Sequence, residues 1–368
     1  MELQWPAYVA AFAGSLAVAW VLTPLLLKLA IRKQVLDAPD ERKAQTSPVP
    51  YLGGIAIVGG FSAMVLAAAA IDRAPPVLLE LGTLLGVGVL LALMGLVDDL
   101  RGGLSPYLRL AVEVGAGVAV HVTGSGADVG GPPGLSLALT VLWVVGITNA
   151  FNLLDNMDGL SAGVAALASG AFCLIAALNG QFLVAALAAG VAGCATGFLR
   201  HNFHPAKIYM GDAGSLFLGF LLAVLGLKLT LTGTPNVVAL FVPLLVLGLP
   251  VFDTTLVTWQ RLTHGRSPMQ GGRDHASHRL VWVGIPVPVS VCLLYAATVA
   301  LGWLAVILAR LDVVSGLLLV GFVFTVGGFL LGLLAAVPVY ENSRQRRAML
   351  QVVRAHEPEG PPADELAG

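Results

Sequence analysis

Carboxylate and amide side chains gather in a few short stretches of a chain that is otherwise strongly apolar. The stretch NAFNLLDNMDGLSAG contains Asn152, Asp155 and Asp158. The stretch GLVDDL places Asp98 and Asp99 side by side, and adjacent like charges are costly unless a proton or a cation relieves them. Oxygen ligands of this kind suit Mg²⁺, which commonly completes its coordination shell with phosphate oxygens of a substrate. A solvated loop would explain any one of these aspartates, but it explains the whole set poorly.

A third polar stretch, GDAGSLFLGF, has the features of a helix start. Gly211 and Gly214 permit a tight turn, and Asp212 or Ser215 can cap the helix that follows. The free N–H groups and the positive dipole end of a helix start attract phosphate. A cap without any ligand is the alternative, and this stretch alone leaves both interpretations open.

A fourth stretch, SPMQGGRDHASHRL, combines arginines with two histidines. His275 and His278 are three positions apart, a helical spacing that could ligate a metal or bind phosphate oxygens. Arg273 and Arg279 could supply forked donors to the same phosphate. An ordinary cytoplasmic loop would explain the arginines equally well and the histidines less well.

The elements that must position these residues are membrane helices. The 368 residues are 57% hydrophobic and only 11% charged, against roughly a quarter charged residues in a soluble domain. Mean hydropathy is +0.87, and apolar runs near the length of about 20 residues that spans a bilayer recur along the chain. We expect an all-α, polytopic transmembrane bundle and no nucleic-acid binding.

Eleven spans are predicted at about 5–31, 52–71, 78–97, 105–123, 134–153, 160–178, 181–200, 213–232, 236–258, 286–309 and 313–338. The fourth is the weakest, since Arg109, Glu113 and His121 interrupt it.

Lysine and arginine concentrate in every second loop, and the loops between them hold only Arg73 and Arg310. Positively charged residues near short loops stay on the cytoplasmic side. This bias predicts an N-terminus outside, a cytoplasmic C-terminus and all four polar stretches on the cytoplasmic face of the membrane. Residues 1–340 form the predicted membrane domain. The basic, then Pro- and Glu-rich tail at 341–368 is expected to be disordered.

Taken together, the stretches resemble the polyprenyl-phosphate N-acetylhexosamine-1-phosphate transferases of glycosyltransferase family 4. The resemblance covers nearly the whole chain and follows the family's order of motifs: PVPYLGGIAI, GLVDDL, NAFNLLDNMDGLSAG, YMGDAGSLFLG and DHASHRL. It implies transfer of an N-acetylhexosamine phosphate from a UDP-sugar to a polyprenyl phosphate, with release of UMP, as the first step of a cell-envelope polysaccharide. It also implies dependence on Mg²⁺, with Mn²⁺ as an alternative.

The same resemblance implies the roles of individual residues. Asp98 and Asp99 match paired aspartates that handle the lipid phosphate, Asp212 matches a metal-binding aspartate, and Tyr209 falls near the uracil. The candidate site residues are, as catalytic groups, Asp98, Asp99, Asp158, His275 and His278; as substrate-binding groups, Lys43, Asn152, Asp155, Tyr209, Arg273 and Arg279; and, as metal ligands, Asp212 and Asn152.

The chain departs from the family pattern at two histidine positions. Gln45 stands where many members have a histidine, and Ser277 stands within what is often a His-x-His-His run. Lys43 is therefore the candidate basic contact in the first cytoplasmic loop. The asparagine within DNMDG and the shortened histidine run favour UDP-N-acetylglucosamine over the muramoyl-pentapeptide substrate, which stays as the alternative.

The residues alone leave the reaction mechanism, the oligomeric state and the class of protein open. The lipid phosphate could attack the sugar-bound phosphorus directly, or the reaction could pass through an aspartyl-phosphate. A homodimer is an alternative to a monomer. A secondary transporter would use carboxylates inside the membrane, and Asp253 and Glu113 lie within predicted spans. The remaining acids lie at the ends of spans, which argues against transport.

Overall fold

The computed structural model describes residues 4–37, 48–71, 74–127, 132–231, 233–234 and 236–340. Within these residues the chain is a helical bundle with two very short strands, which confirms the predicted all-α fold class. Lys43, Gln45 and the predicted tail at 341–368 lie outside the described residues.

The elements follow in chain order. The helices of the described residues are α1 Trp5–Lys33, α2 Gly53–Ile71, α3 Pro75–Arg101, α4 Pro106–Val120, α5 Pro133–Leu154, α6 Leu160–Leu178, α7 Phe182–Asn202, α8 Gly211–Lys228, α9 Asn236–Ala239, α10 Phe241–Val246, α11 Gly248–Thr263, α12 Ala276–Trp282, α13 Val287–Leu308 and α14 Val313–Ala335. A π-helical turn, His121–Ser125, extends α4. Strands β1 Leu36–Asp37 and β2 Val49–Pro50 pair antiparallel, with Leu36 opposite Pro50.

Nine helices in the described part of the chain are long and apolar enough to cross a membrane. The count is ten if the bent pair Val237–Val246 and Gly248–Thr263 forms one span, against eleven predicted. The remaining predicted span is α4, whose α-helical part has only 15 residues and contains Arg109 and Glu113. The count of eleven and the orientation in the membrane stay predictions.

The ninth predicted span is bent by 79° between α10 and α11. In an unbroken helix the residue at position 250 would donate its N–H to the carbonyl of Val246, but Pro250 has no N–H. Gly248 begins α11, and a Cβ at that position would lie 3.0 Å from the side chain of Leu301. Proline and a tightly packed glycine account for the bend, which apolar composition alone did not predict.

Helix α8 forms the centre of the bundle. Its side chains are buried on all sides, among them Leu216, Phe217 and Phe220. Helix α14 lies at the periphery and buries only Gly316 and Val320 along its length. Because α8 begins at Gly211, the polar stretch around Asp212 lies in the middle of one end of the bundle.

The chain around β2 pairs with the loop that precedes α8. The Tyr209 N–H donates to the Pro50 carbonyl at 2.8 Å, and the Gly53 N–H donates back to the Tyr209 carbonyl at 2.9 Å. The Gly54 N–H donates to the Met210 carbonyl at 2.9 Å. These bonds fix the start of α2 against the start of α8.

Candidate active site

A single guanidinium joins three polar stretches at this end of the bundle. Arg109 Nη1 lies 3.2 Å from Asp98 Oδ2 and 3.0 Å from Asp212 Oδ2. Arg109 Nη2 donates to Asn152 Oδ1 at 3.0 Å. Asp98 ends α3, Arg109 lies in α4, Asn152 ends α5 and Asp212 begins α8, so four helix termini converge here. We call Asp98, Asp99, Arg109, Asn152 and Asp212 the acidic cluster.

The carboxylate and backbone of Asp212 are held from two further sides. Asn152 Nδ2 donates to Asp212 Oδ1 at 2.8 Å and to Ser215 Oγ at 3.1 Å. The backbone N–H of Asp212 donates to Asp99 Oδ2 at 2.9 Å. The structure thus brings together Asp98, Asp99, Asn152 and Asp212, which the sequence predicted separately as site residues.

Two glycines permit this convergence. Gly211 has φ +66°, a backbone conformation that side chains rarely adopt, and a Cβ there would collide with the Asp99 carboxylate. A Cβ on Gly95 in α3 would collide with the backbone of Asp212. The glycines of GLVDDL and GDAGSL therefore let α3 and the start of α8 approach until their carboxylates share one site.

The charge of the acidic cluster suits a cation. Three carboxylates, Asp98, Asp99 and Asp212, surround one arginine, so their ionised forms leave an excess of negative charge. The donors are carboxylate and amide oxygens, the type that Mg²⁺ prefers. Among the described residues no group of three or more His, Cys, Asp or Glu side chains is placed to hold a metal ion. Asn152 Oδ1, the amide oxygen of the cluster, accepts from Arg109 in this structure, so binding of Mg²⁺ here stays a prediction that needs phosphate oxygens of a substrate as further ligands.

Asp155 and Asp158 lie beside the acidic cluster, in the turn between α5 and α6. Burial raises the pKa of Asp155 to about 8, and the nearby carboxylates of Asp212 and Asp158 add to the rise. Asp158 Oδ2 is 2.9 Å from His204 Nδ1 and accepts the backbone N–H of Ala206 at 3.0 Å. Asp158 is therefore fixed in place by the loop after α7.

Tyr209 lies close to this pair of aspartates. Its side chain is half-buried, and its backbone pairs with β2 and α2. Burial raises its pKa, and the charges of Asp158, Asp37 and Asp155 raise it further. The structure places the predicted uracil-side aromatic residue next to the predicted nucleotide-side carboxylates.

The loop before α12 reaches the same region. Ser277 Oγ donates to Asn156 Oδ1 at 2.6 Å, which joins the DHASHRL stretch to the turn after α5. The imidazole rings of His275 and His278 are 5.9 Å apart between centroids. Burial lowers the pKa of His278 to about 3, and the neighbouring charges of His275 and Arg273 act in the same direction. His278 is therefore a neutral imidazole near neutral pH.

The two predicted substrate-binding arginines have different environments. Arg273 is half-buried near His278. Arg279 is fully buried, and its Nε donates to the Asp274 carbonyl at 2.8 Å. Its Nη1 donates to the carbonyls of Leu334 at 2.8 Å and Val337 at 3.2 Å. These bonds attach the loop to the end of α14, and the predicted contacts of both arginines with substrate stay predictions.

The same loop is held by a second buried arginine. Arg261 donates to both carboxylate oxygens of Asp274 at 2.8 Å, and the hydroxyl of Tyr340 donates to Asp274 as well. Burial alone would raise the pKa of Asp274, but the hydrogen bonds from Arg261 and Tyr340 outweigh it and hold the pKa at about 2. The carboxylate is ionised at any physiological pH and anchors the loop.

Sequence reasoning missed two residues of this region. Arg109 was treated as an interruption of a span, although a charged residue inside an apolar segment is by default a sign of function. His204, the partner of Asp158, lies in the short polar stretch HNFHP, where its closeness to Asp158 depends on the packing of α7. The signal for Arg109 was present in the sequence, whereas the signal for His204 was not.

These features define a class: a polytopic helical membrane protein with an acidic, amide-lined site at one end of the bundle. Comparison with known proteins then identifies the family. Residues 81–230 match the model of glycosyl transferase family 4. A probable undecaprenyl-phosphate N-acetylglucosaminyl 1-phosphate transferase of Bacillus subtilis is 33% identical over 296 residues, 78% of this chain and 81% of the relative. The chain belongs to glycosyl transferase family 4.

Two further relatives define the range of activities. A decaprenyl-phosphate N-acetylglucosaminephosphotransferase of Mycolicibacterium smegmatis is 32% identical over 326 residues, covering 80% of this chain and 79% of the relative. A phospho-N-acetylmuramoyl-pentapeptide-transferase of Shouchella clausii is 32% identical over 240 residues, covering 59% of this chain and 72% of the relative. The resemblance to the family is thereby confirmed, and the pentapeptide relative matches a smaller part of the chain.

Proposed function

We propose that this protein transfers N-acetylglucosamine-1-phosphate from UDP-N-acetylglucosamine to a polyprenyl phosphate and releases UMP. The observation that carries the proposal is the bridge from Arg109 to Asp98, Asn152 and Asp212 at one end of an apolar bundle. A positively charged group among oxygen ligands, at the end of apolar helices, suits a site for two phosphates next to lipid. The names of the B. subtilis and M. smegmatis relatives support the same reaction.

The reaction joins two anions, so charge repulsion dominates its barrier. An oxygen of the lipid phosphate would form a bond to the sugar-bound phosphorus, while the bond from that phosphorus to the UMP oxygen breaks. Arg109 provides positive charge between Asp98 and Asp212, where the two phosphates would meet. Asp98 and Asp99 are proposed to position the lipid phosphate, and a two-step route through an aspartyl-phosphate is the alternative.

The cofactor proposed is Mg²⁺, with Mn²⁺ as a substitute. Asp212 and Asn152 would hold it, with Asp98 on the other side of Arg109. When bound, the ion would neutralise pyrophosphate charge and stabilise UMP as the leaving group. Asp155, Asp158 and Tyr209 would contact the nucleotide, and His275, His278 and Arg273 its phosphates.

An apolar groove on the membrane surface supports a lipid substrate. It has a volume of about 520 Å³ between α4 and α5, and Val114, Val118, Leu142 and Val145 are among its lining residues. The same two helices carry Arg109 and Asn152. We propose that the prenyl chain lies along this groove, with its phosphate at the acidic cluster. By the positive-inside bias, the cluster would lie on the cytoplasmic side of the plasma membrane.

The test is turnover of purified protein with a polyprenyl phosphate, Mg²⁺ and one of two donors. UDP-N-acetylglucosamine should give a polyprenyl diphosphate sugar, identified by mass, together with stoichiometric UMP. UDP-N-acetylmuramoyl-pentapeptide is the parallel donor, and the Asp212→Asn variant is the control for contaminating enzyme. A product from the pentapeptide donor alone would reassign the substrate, and no lipid product from either donor would overturn the proposal.

A further inference from the structure

We call residues 267–280, which contain His275 and His278, the histidine loop. One buried carboxylate next to it has no role in the proposed reaction. Asp253 lies in α11 and is only 2% exposed. Its Oδ2 is 2.7 Å from His275 Nδ1, and its Oδ1 accepts the backbone N–H of Ala276 at 2.7 Å. Both oxygens are therefore committed to His275 and Ala276, where the loop ends and α12 begins.

The position of Asp253 follows from the bend in the ninth predicted span. Helix α11 is turned by 79° relative to α10 and ends at Thr263. In this direction α11 places Asp253 beside His275, in the loop that follows the helix. His275 precedes α12 in an extended conformation and does not cap the helix with its own side chain. Asp253 provides the missing cap from a different helix, since Ala276 is the first residue of α12.

The bond to His275 has a chemical consequence. When the Nδ1–H of a neutral imidazole donates to a carboxylate, that hydrogen bond selects the Nδ1–H tautomer. Nε2 then carries no proton. In that tautomer Nε2 carries a lone pair and accepts a hydrogen bond. The nearby Asp274 is engaged by Arg261 and Tyr340, so among the described residues Asp253 is the carboxylate that hydrogen-bonds His275.

We propose that Asp253 is a positioning residue: it orients His275 and fixes its tautomer, so that the lone pair of Nε2 accepts a hydrogen bond from a hydroxyl group beside the diphosphate of the sugar nucleotide. The role in turnover rests on the proposed function. The orientation of the ring is a property of the free protein and can be measured without any reaction.

The test variant is Asp253→Asn. Asparagine keeps an oxygen for the Ala276 N–H but presents an N–H₂ group to His275, which forces the opposite tautomer. The control is Asp312→Asn, which removes the carboxylate that caps α14 by accepting from Val314 and Ser315. Asp312 is far from the loop in the chain and starts a peripheral helix, so its loss should leave His275 unchanged.

The first measurement is ¹⁵N NMR of histidine-labelled protein. The chain has seven histidines, and His275→Gln removes one imidazole signal pair, which assigns it. We expect the His275 pair to change from the Nδ1–H to the Nε2–H pattern in Asp253→Asn alone. An unchanged pair would overturn the proposal, whatever reaction the protein catalyses.

The second measurement is steady-state turnover with UDP-N-acetylglucosamine. A supporting residue behind a functional imidazole typically costs about 10- to 100-fold when removed, so kcat should fall by that factor with KM nearly constant. Adding Asp253→Asn to His275→Gln should cause no further loss, because the two residues act as one unit. A further full loss in the double variant would make Asp253 a separate structural residue. An inactive wild type would instead overturn the proposed function and leave the NMR result standing.

Discussion

Arg109 Nη1 lies 3.0 Å from Asp212 Oδ2, although the two residues belong to helices that are distant in the chain. The same nitrogen is 3.2 Å from Asp98 Oδ2, so one guanidinium separates the buried carboxylate of Asp98 from the partly exposed carboxylate of Asp212. Without it, the ionised forms of Asp98, Asp99 and Asp212 would repel each other at the proposed site of the substrate phosphates. The arginine therefore sets both the spacing and the charge of the acidic cluster.

Replacement of Arg109 should stop the reaction. Arg109→Ala removes a forked donor at the point where phosphate charge develops, a loss worth about 10² to 10³ in turnover. Arg109→Lys keeps the charge but cannot reach three partners at once, so partial activity of at most about a tenth is expected. The measurement is exchange of labelled UMP into UDP-N-acetylglucosamine.

The matched control is Arg101→Ala, which removes an exposed arginine from the end of α3. It should exchange UMP at nearly the wild-type rate. Wild-type exchange in Arg109→Ala would show that the bridge is structural and that the phosphates bind elsewhere.

Asp212 should be needed for turnover but not for folding. Asp212→Asn retains the size of the side chain and an oxygen for the Asn152 donor, but it loses the charge that a cation requires. We expect a loss of at least about a hundredfold, equivalent to about 2.7 kcal/mol of barrier, with normal membrane insertion and melting. The measurement is turnover across a Mg²⁺ titration. The sequence alternative that Asp212 or Ser215 caps α8 is wrong, since the N-cap is Met210 and no side chain caps the helix. Near-normal activity at low Mg²⁺ would mean that Asp212 serves only in its bonds to Arg109 and Asn152.

Nucleotide binding should release a proton from Asp155. Its pKa is about 8 in the free protein, raised by burial and by the carboxylates of Asp212 and Asp158, so at pH 7 it is mostly protonated. Binding of UMP with Mg²⁺ favours the ionised form. Affinity should therefore rise as the pH rises toward about 8 and level off above it. The measurement is the binding enthalpy of UMP with Mg²⁺ in two buffers of different ionisation enthalpy. The difference between the two enthalpies gives the number of protons released on binding.

Two variants separate the roles of the carboxylates in that experiment. Asp155→Asn should release fewer protons than the wild type, and those that remain come from Asp99, whose pKa burial also raises to about 8. It should bind UMP about 10- to 100-fold more weakly, as expected for loss of a charge-assisted bond of about 1.5 to 3 kcal/mol. Asp98→Asn should bind UMP normally and turn over slowly. Equal loss of affinity in both would show one undivided metal-centred cluster and remove the separate lipid-phosphate role of Asp98.

The two ends of the bundle should be accessible from opposite sides of the membrane. Ser125 accepts a hydrogen bond from Lys228 at the end of α8, whereas Ser267 lies in the loop after α11. Single cysteines at these positions, in a background without Cys173, Cys194 and Cys292, should react with impermeant reagents from outside and inside respectively. Labelling of both from one side would contradict the predicted orientation.

The sequence predicted most of the acidic cluster because its members lie at predicted helix ends. Asp98, Asp99, Asn152 and Asp212 each border an apolar run, and the positive-inside bias placed all those borders on one side. It could not predict that Arg109 joins them, since that depends on the rotation of α4 about its axis. The bend at Pro250 was missed for a related reason: hydropathy measures composition along a segment and carries no information about its direction.

Arg279 is fully buried, and the carbonyls that it contacts at Leu334 and Val337 close the last helix of the described chain. A helix C-terminus carries partial negative charge, so α14 supplies the complement that this arginine needs. Deletion of α14 would leave the buried guanidinium of Arg279 without these partners, which lowers the free energy of unfolding by about 3 to 5 kcal/mol. In family members with different numbers of spans, an arginine at the position of Arg279 and a helix equivalent to α14 should therefore be present together or absent together. A fusion or truncation placed before residue 335 would damage the protein through its histidine loop, even where the remaining helices still hold it in the bilayer.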